Sequence, residues 1–240
     1  MSKKLTDNYL WNYIEKKPIN LTSSSKILLK IGKKQHLLEM QRGNLYARPL
    51  GYYCGLYTSE LTKGQLDSME GVVHIAEHAR LTSEGVVIGE AEQLIERVGT
   101  HMPILSLMMP QLIRTDLNGW KMSFHKDIIN DFIKGNISDY GVLLIDAVRL
   151  KERIETLNIK CYGRMIEYTD EKFDRSGGIL NAIFRKRLSY SYQQEFRIAF
   201  KENLELDKSL SIPIGSISEF SWILPISILQ NGLFFQKHFN

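Results

Sequence analysis

Cysteine is scarce in this chain. Cys54 and Cys161 are the only two in 240 residues, they lie far apart, and neither has a CxxC partner. Neither a disulfide framework nor a cysteine-based zinc site is suggested, and free thiols suit a reducing compartment. Long apolar runs are missing too: no window reaches the roughly 18 apolar residues that a membrane helix needs. The opening "MSKKLTDNYLWNYIEKK" is basic but carries no apolar core of signal-peptide length. A cytoplasmic protein without membrane contact is the expectation. Stock catalytic signatures are also absent. There is no GxGxxG after a strand, no GxxxxGK followed by Ser or Thr, no GxSxG and no HExxH. The six histidines and the acids show no tight metal-ligand spacing, so no metal is expected. Neither a solenoid repeat nor a low-complexity tract occurs.

What is present is ordinary globular material, 43% hydrophobic and 24% charged. The net charge of +4 and the pI near 8.9 permit a nucleic-acid partner without requiring one, because clustering matters more than total charge. The polar stretch "NLTSSSK", residues 20 to 26, divides a leader, 1–25, from a single domain, 26–240.

That domain opens with a strand over Lys26 to Ile31. A helix follows over Lys33 to Arg42, with Leu37, Leu38 and Met40 as apolar positions and Gly43 as its stop, and then the strand "NLYARPL". Residues 55 to 71 read as a polar loop. "VVHIA" and "GVVIGE" read as strands, "AEQLIERV" as a helix, and "MPILSLMM" as a buried strand. "HKDIINDFIKG" reads as an amphipathic helix ending at Gly135. The clearest unit is a strand over Val142 to Ile145, an Asp146 cap and a helix. "IKCYGRMIEY" is another strand, "GILNAIFRKRLSYS" a helix or loop, and the C-terminal residues form strands near a sheet edge. Seven to nine strands interleave with four to five helices without strict βαβ repeats, which argues α+β.

The stretch "SYQQEFRI" raises the chemical question. Alternation on a strand puts Gln193 and Glu195 on one face, about 6 to 7 Å apart. The carboxylate could stabilise an oxocarbenium-like ribose or accept a proton, and the amide could hold a substrate atom by both donor and acceptor. The bland alternative is a solvated edge strand on which Glu195 pairs with Arg197, Arg187 or Lys201.

Gln193-x-Glu195 resembles the Gln/Glu-x-Glu motif of ADP-ribosyltransferases. The opening "KIGKKQHLLEMQRGNLYARPLGYY", "DSMEG" and the late "YQQEFRI" are also similar to a broad set of bacterial and phage proteins of poorly defined function. The resemblance implies an α+β fold with an ADP-ribosyltransferase-like split sheet core and interleaved helices. It implies NAD as a substrate, Glu195 as the catalytic acid and Gln193 as the acceptor-side residue. A glutamine there resembles members that modify asparagine or a nucleobase. The family's first-strand arginine or histidine has Lys30, His36 and Arg48 as its nearest counterparts, and its S-T-S strand is reduced to Ser106. Tyr52 and Tyr53 would stack on nicotinamide or adenine. The acceptor implied is RNA or DNA. The role implied is that of a toxin in a toxin–antitoxin or phage-defence system, held by an antitoxin or inhibitor protein. A non-catalytic binding module and an NAD hydrolase are the alternatives.

The basic, aromatic run "IFRKRLSYSY" just precedes the proposed acid. Arg185, Lys186 and Arg187 would meet phosphates and Tyr190 or Tyr192 a base, if the run is not simply a solvated helix end.

Overall fold

A computed structural model describes residues 26–56, 61, 65–83, 86–114, 119–133, 136–169 and 178–236. The leader, 1–25, lies outside them. The chain is mixed α and β, with strands predominating, in keeping with α+β.

The opening unit forms as its residues dictate. β1 (Ile27–Lys33) leads into α1 (Lys34–Gln41), which buries Leu37 and Met40. Gly43 closes the helix at φ +98°, where its N–H donates to the Met40 carbonyl at 2.9 Å. A Cβ there would lie 2.0 Å from the Gly215 carbonyl oxygen, so glycine is required both by conformation and by space. β2 (Asn44–Pro49) and the short α2 (Leu50–Tyr53) complete the unit.

β5 (Pro103–Met108) organises the main sheet. Along one edge it takes β12 (Glu195–Phe200), which in turn pairs with β9 (Cys161–Met165). Along its other edge two strands share it. β2 pairs with its start, Arg48 opposite Ile104, and β1 with its end, Leu29 opposite Met108. The sheet therefore forks at β5, and residues 105–107 have no register partner on that edge. Beyond the fork, β1 pairs along its full length with β8 (Tyr140–Asp146), and β8 with β14 (Ser221–Pro225). On the other arm β2 pairs with β13 (Leu210–Pro213). All these pairings are antiparallel. β8 is central and buried on both faces, which explains its unbroken run Val142 to Ile145.

Helices cover both faces. Asp146 caps α4 (Ala147–Thr156) by accepting from the Val148 and Arg149 N–H groups at 2.9 and 3.2 Å. α1 and α4 pack Leu37, Leu150 and Ile154 against Leu28, Leu143 and Ile145. On the opposite face, α3 (Asp127–Phe132) and α6 (Ile228–Asn231) pack against Leu29, Met108 and Leu144. The remaining short strands and helices form separate small sheets and connections, including β10 (Glu167–Thr169), α5 (Gly178–Ile183) and β11 (Arg185–Arg187).

Three expectations are corrected. "AEQLIERV" is not a helix: β3 (Val72–Ser83) and β4 (Val86–Arg97) form a two-stranded ribbon, and cross-strand pairs such as Ile75 with Ile95 override the helical propensity of Ala, Glu and Gln. Short strands were undercounted, since the described residues hold fifteen. Finally, the strand at "SYQQEFRI" starts only at Glu195. Before it, Leu188–Gln193 is a 3-10 turn, and Gln194 turns the chain at φ +44°. The α3 helix ends at Phe132, and Gly135 lies outside the described residues.

Candidate functional site

Glu195 begins β12 and faces inward, 4% exposed. Its backbone N–H donates to the Tyr168 hydroxyl at 2.8 Å, and the Met109 N–H donates to the Gln194 carbonyl at 2.8 Å, so the turn is pinned to two neighbouring elements. The carboxylate accepts from three side chains. Ser106 Oγ donates to Oε1 at 2.5 Å, Arg197 Nε to Oε1 at 2.9 Å, and Lys186 Nζ to Oε2 at 3.1 Å. An ionised carboxylate offers about four acceptor positions. Oε1 has filled both of its own, and one position on Oε2 remains.

A second buried acid joins this network. Glu70, 1% exposed, receives Arg197 Nη2 and Lys186 Nζ on Oε1, each at 3.0 Å. Glu70 is held by the turn into Gly71, where φ is +71° and a Cβ would meet the Val98 carbonyl oxygen at 2.8 Å. Lys186 spends its third donor on Gln193 Oε1 at 3.0 Å, and is then saturated. Arg197, 1% exposed, also donates through Nη1 to the Ile183 carbonyl. Two acids and two cations thus balance inside the fold.

Lys30 sits in the fork. Ser106 is one of the residues left unpaired along that edge of β5, and its carbonyl accepts from Lys30 Nζ at 2.8 Å. The lysine is the price of opening the sheet: it satisfies a backbone group that a continuous ladder would have satisfied.

These residues line a cavity of about 80 Å³. Its polar wall includes Lys30, Glu70, Ser106, Lys186, Gln193 and Glu195. Its apolar wall is Leu29, Ile31, Leu107, Met108 and Phe132, with Tyr53 beside them. One water needs about 10–15 Å³, while a whole ligand pocket typically exceeds about 300 Å³. The cavity therefore takes one ring or one end of a ligand.

The electrostatics follow from burial and pairing. Burial pushes the Glu195 carboxyl up. The Arg197 guanidinium, the Lys186 ammonium and the Ser106 hydroxyl outweigh it and hold the group down at about 2. Burial pulls Lys186 down, but Glu195 and Glu70 reverse that and raise it. Lys30 goes the other way: burial lowers it and the Glu195 charge only partly compensates. Burial pushes the Tyr168 hydroxyl up to about 12 and raises Tyr53 as well.

A pH dependence of stability follows. The folded pKa of Glu195 lies below its ordinary value of 4.5. Its contribution is therefore fully present above pH 4.5 and is lost as the pH falls from 4.5 towards 2, on the order of 3 kcal/mol in all. Urea midpoints measured from pH 6 down to pH 3 are expected to fall steeply below 4.5, and Glu195→Gln to flatten that limb. An equal slope in both proteins would show that Glu195 is not the group responsible.

Of the catalytic and NAD-binding candidates singled out from sequence, the cavity gathers Lys30, Tyr53, Ser106, Gln193 and Glu195, and Lys186 of the basic run joins them. Gln193 reaches it from a 3-10 turn rather than from a shared strand face. Three candidates lie elsewhere. Arg48 donates to the Asp207 carbonyl at 3.2 Å and stacks over Tyr52 at 4.6 Å, while Tyr52 meets Tyr53 edge-on. His36 is exposed on α1.

The basic run is not an open phosphate platform. Lys186 is enclosed by the two acids, and Arg187 pairs with the fully buried Asp67 at 2.7 Å. Arg185 is half-buried. Nor are the tyrosines free for bases. Tyr190 donates to the Leu66 carbonyl at 2.9 Å, and Tyr192 to Asp131. The buried carboxylates explain this fate: with the cation left at the surface, Glu70 and Glu195 would have one fewer partner for their charges in the interior. Glu70 is a site residue that the motif "DSMEG" does not reveal. Nothing local marks it, since its partner Arg197 is 127 residues away.

Among the described residues, no cluster of His, Cys, Asp or Glu could hold a metal, and no helix is long and apolar enough to cross a membrane. In comparisons with known proteins, no family model matches the chain, and no curated protein or solved structure does.

Proposed function

We propose that the chain is an ADP-ribosyltransferase-like enzyme that cleaves the nicotinamide–ribose bond of NAD. The single observation that carries this reading is the convergence of Lys30 on β1, Ser106 on β5 and Glu195 on β12, three neighbouring strands, on one cavity. These are the positions to which the resemblance assigns a first-strand polar residue, the serine strand and the catalytic acid. The forked sheet is in keeping with a split core.

The bond from ribose C1′ to the nicotinamide nitrogen breaks, and its electron pair leaves with nicotinamide. C1′ becomes cationic and bonds to the acceptor, whose proton passes to solvent. Glu195 supports this step by charge and through the remaining Oε2 position, which would accept from a ribose hydroxyl. With its pKa near 2, the carboxylate is a poor proton acceptor at neutral pH, so its role is electrostatic rather than that of a general base. Gln193 stands on the acceptor side and Tyr53 against the nicotinamide ring. Lys30, deep in the fork, serves the nicotinamide end and not the pyrophosphate.

The acceptor class is a nucleobase in RNA or DNA, with an antitoxin or inhibitor protein restraining the enzyme in the cytoplasm. Hydrolysis is the second reading. It is favoured by the burial of Lys186 and the pairing of Arg187, which remove the platform expected to seat a nucleic acid. Incubating the protein with NAD labelled in the adenylate, with RNA, DNA or lysate, separates these readings. Label in polymer supports transfer, free ADP-ribose supports hydrolysis, and intact NAD under every condition rules out both.

A further inference from the structure

Two lysines line the cavity, and their surroundings are opposite. Lys186, 4% exposed, meets the carboxylates of Glu70 and Glu195 at 3.0 and 3.1 Å and gives its third donor to Gln193. Lys30 is half-buried and has one hydrogen-bond partner, the neutral Ser106 carbonyl at 2.8 Å. No carboxylate of the described residues comes within 4.0 Å of its Nζ. The fork leaves residues 105–107 of β5 without a register partner on the Lys30 side, and the walls beside it are apolar: Leu29, Ile31, Leu107, Met108 and Phe132. A cation held among apolar side chains without a counter-ion is costly, and a lysine escapes that cost by giving up its proton. Of the titratable groups on the cavity, the Glu195 charge opposes this. Burial outweighs it, so the Lys30 ammonium is more acidic than an ordinary lysine. A neutral amine keeps an N–H on the Ser106 carbonyl and carries a lone pair, which the saturated Lys186 ammonium lacks.

We propose that Lys30 is a covalent binding site, a nucleophilic amine that condenses with a small neutral aldehyde in the cavity. The nitrogen lone pair bonds to the carbonyl carbon, and the C=O π pair moves to oxygen. A proton passes from nitrogen to that oxygen through water, giving a carbinolamine. Its hydroxyl takes a proton from solvent and leaves as water, so that a protonated C=N bond remains. Nothing is oxidised or reduced. The product is cationic and restores a positive charge opposite Glu195. The ligand is neutral because the other two cations on the cavity are committed. Lys186 has no donor to spare, and Arg197, 1% exposed, is held by Glu195, Glu70 and the Ile183 carbonyl. Once Lys30 has bonded to carbon, a ligand carboxylate would face two acids without a cation of its own.

The test treats the intact protein with butanal or succinic semialdehyde, each with cyanoborohydride to trap the imine, and locates the adducts by peptide mass spectrometry. Lys151, 72% exposed, is the internal reference. With butanal near pH 7, Lys30 is expected to be labelled at least about tenfold faster than Lys151, since each unit by which an amine is more acidic gives tenfold more of its neutral form. Succinic semialdehyde, which adds a carboxylate to the same chain, is expected to label Lys30 about tenfold more slowly than butanal and Lys151 equally well. In urea the preference for Lys30 should vanish. Lys30→Arg keeps a donor for the Ser106 carbonyl but no nucleophile, and should remove the rapid phase of one butyl group per chain. The mapping on the unaltered protein stands even if that variant folds poorly. Labelling of Lys30 no faster than Lys151, a preference that survives in urea, or equal labelling of Lys30 by both aldehydes overturns the proposal. The inference does not need the NAD reading: cleavage of NAD without this labelling sinks the Lys30 role alone, and the labelling without cleavage sinks the enzyme reading alone.

Discussion

Arg197→Met is expected to lose about 3–5 kcal/mol of folding free energy, the largest stability change of any single substitution considered. The guanidinium is 1% exposed and bridges Glu195, Glu70 and the Ile183 carbonyl. Methionine fills much of the volume but cancels no charge. Two carboxylates would then share Lys186 alone, and one buried acid would be driven towards protonation. The loss takes about a fifth or more of the roughly 5–15 kcal/mol that a domain has. Urea unfolding measures it as a fall in midpoint at constant slope. Lys151→Met, at a side chain 72% exposed, serves as the control and should stay within about 0.5 kcal/mol. Combining Arg197→Met with Glu70→Gln removes a charge of each sign. The double variant is expected to be more stable than the sum of the two losses predicts, by about 0.5–3 kcal/mol. An Arg197→Met loss below about 1 kcal/mol would mean that the network is not the electrostatic unit described.

The same network explains what could be read from the sequence. Glu195, Gln193, Ser106 and Lys30 each sat in a recognisable local setting: a late strand after a turn, an apolar strand, an opening strand before a helix. The Gly43 stop and the Asp146 cap were legible because caps are local events of a few residues. The Glu70 role and the fate of Lys186 were not, because each depends on chain segments brought together over long separations. Burial changes what a basic run means. "FRKR" looks like a surface for phosphate until two acids enclose its lysine. The ribbon of β3 and β4 has a different cause: residues 91–98 have helix-forming composition, and pairing with β3, the strand that precedes them in the chain, makes 91–97 extended.

Glu195→Gln is expected to lower kcat for NAD cleavage by about 10²–10³-fold, with KM for NAD changed by less than about threefold. Glutamine keeps the shape, and its oxygen can still accept from Ser106. What disappears is one full negative charge in a buried site where Lys186 and Arg197 stay cationic. The cavity becomes more positive by one unit at the place where C1′ must become cationic, so the penalty falls on the transition state and not on the bound dinucleotide. Ser106→Ala provides the contrast. It removes a donor to Oε1 and leaves the charge, so less than about tenfold should be lost. Both variants are measured well below their unfolding midpoints, with rates expressed per folded molecule, because Glu195→Gln also weakens the buried network. A loss in Ser106→Ala as large as in Glu195→Gln would assign the effect to geometry rather than charge. Full cleavage by Glu195→Gln would remove Glu195 from the reaction altogether.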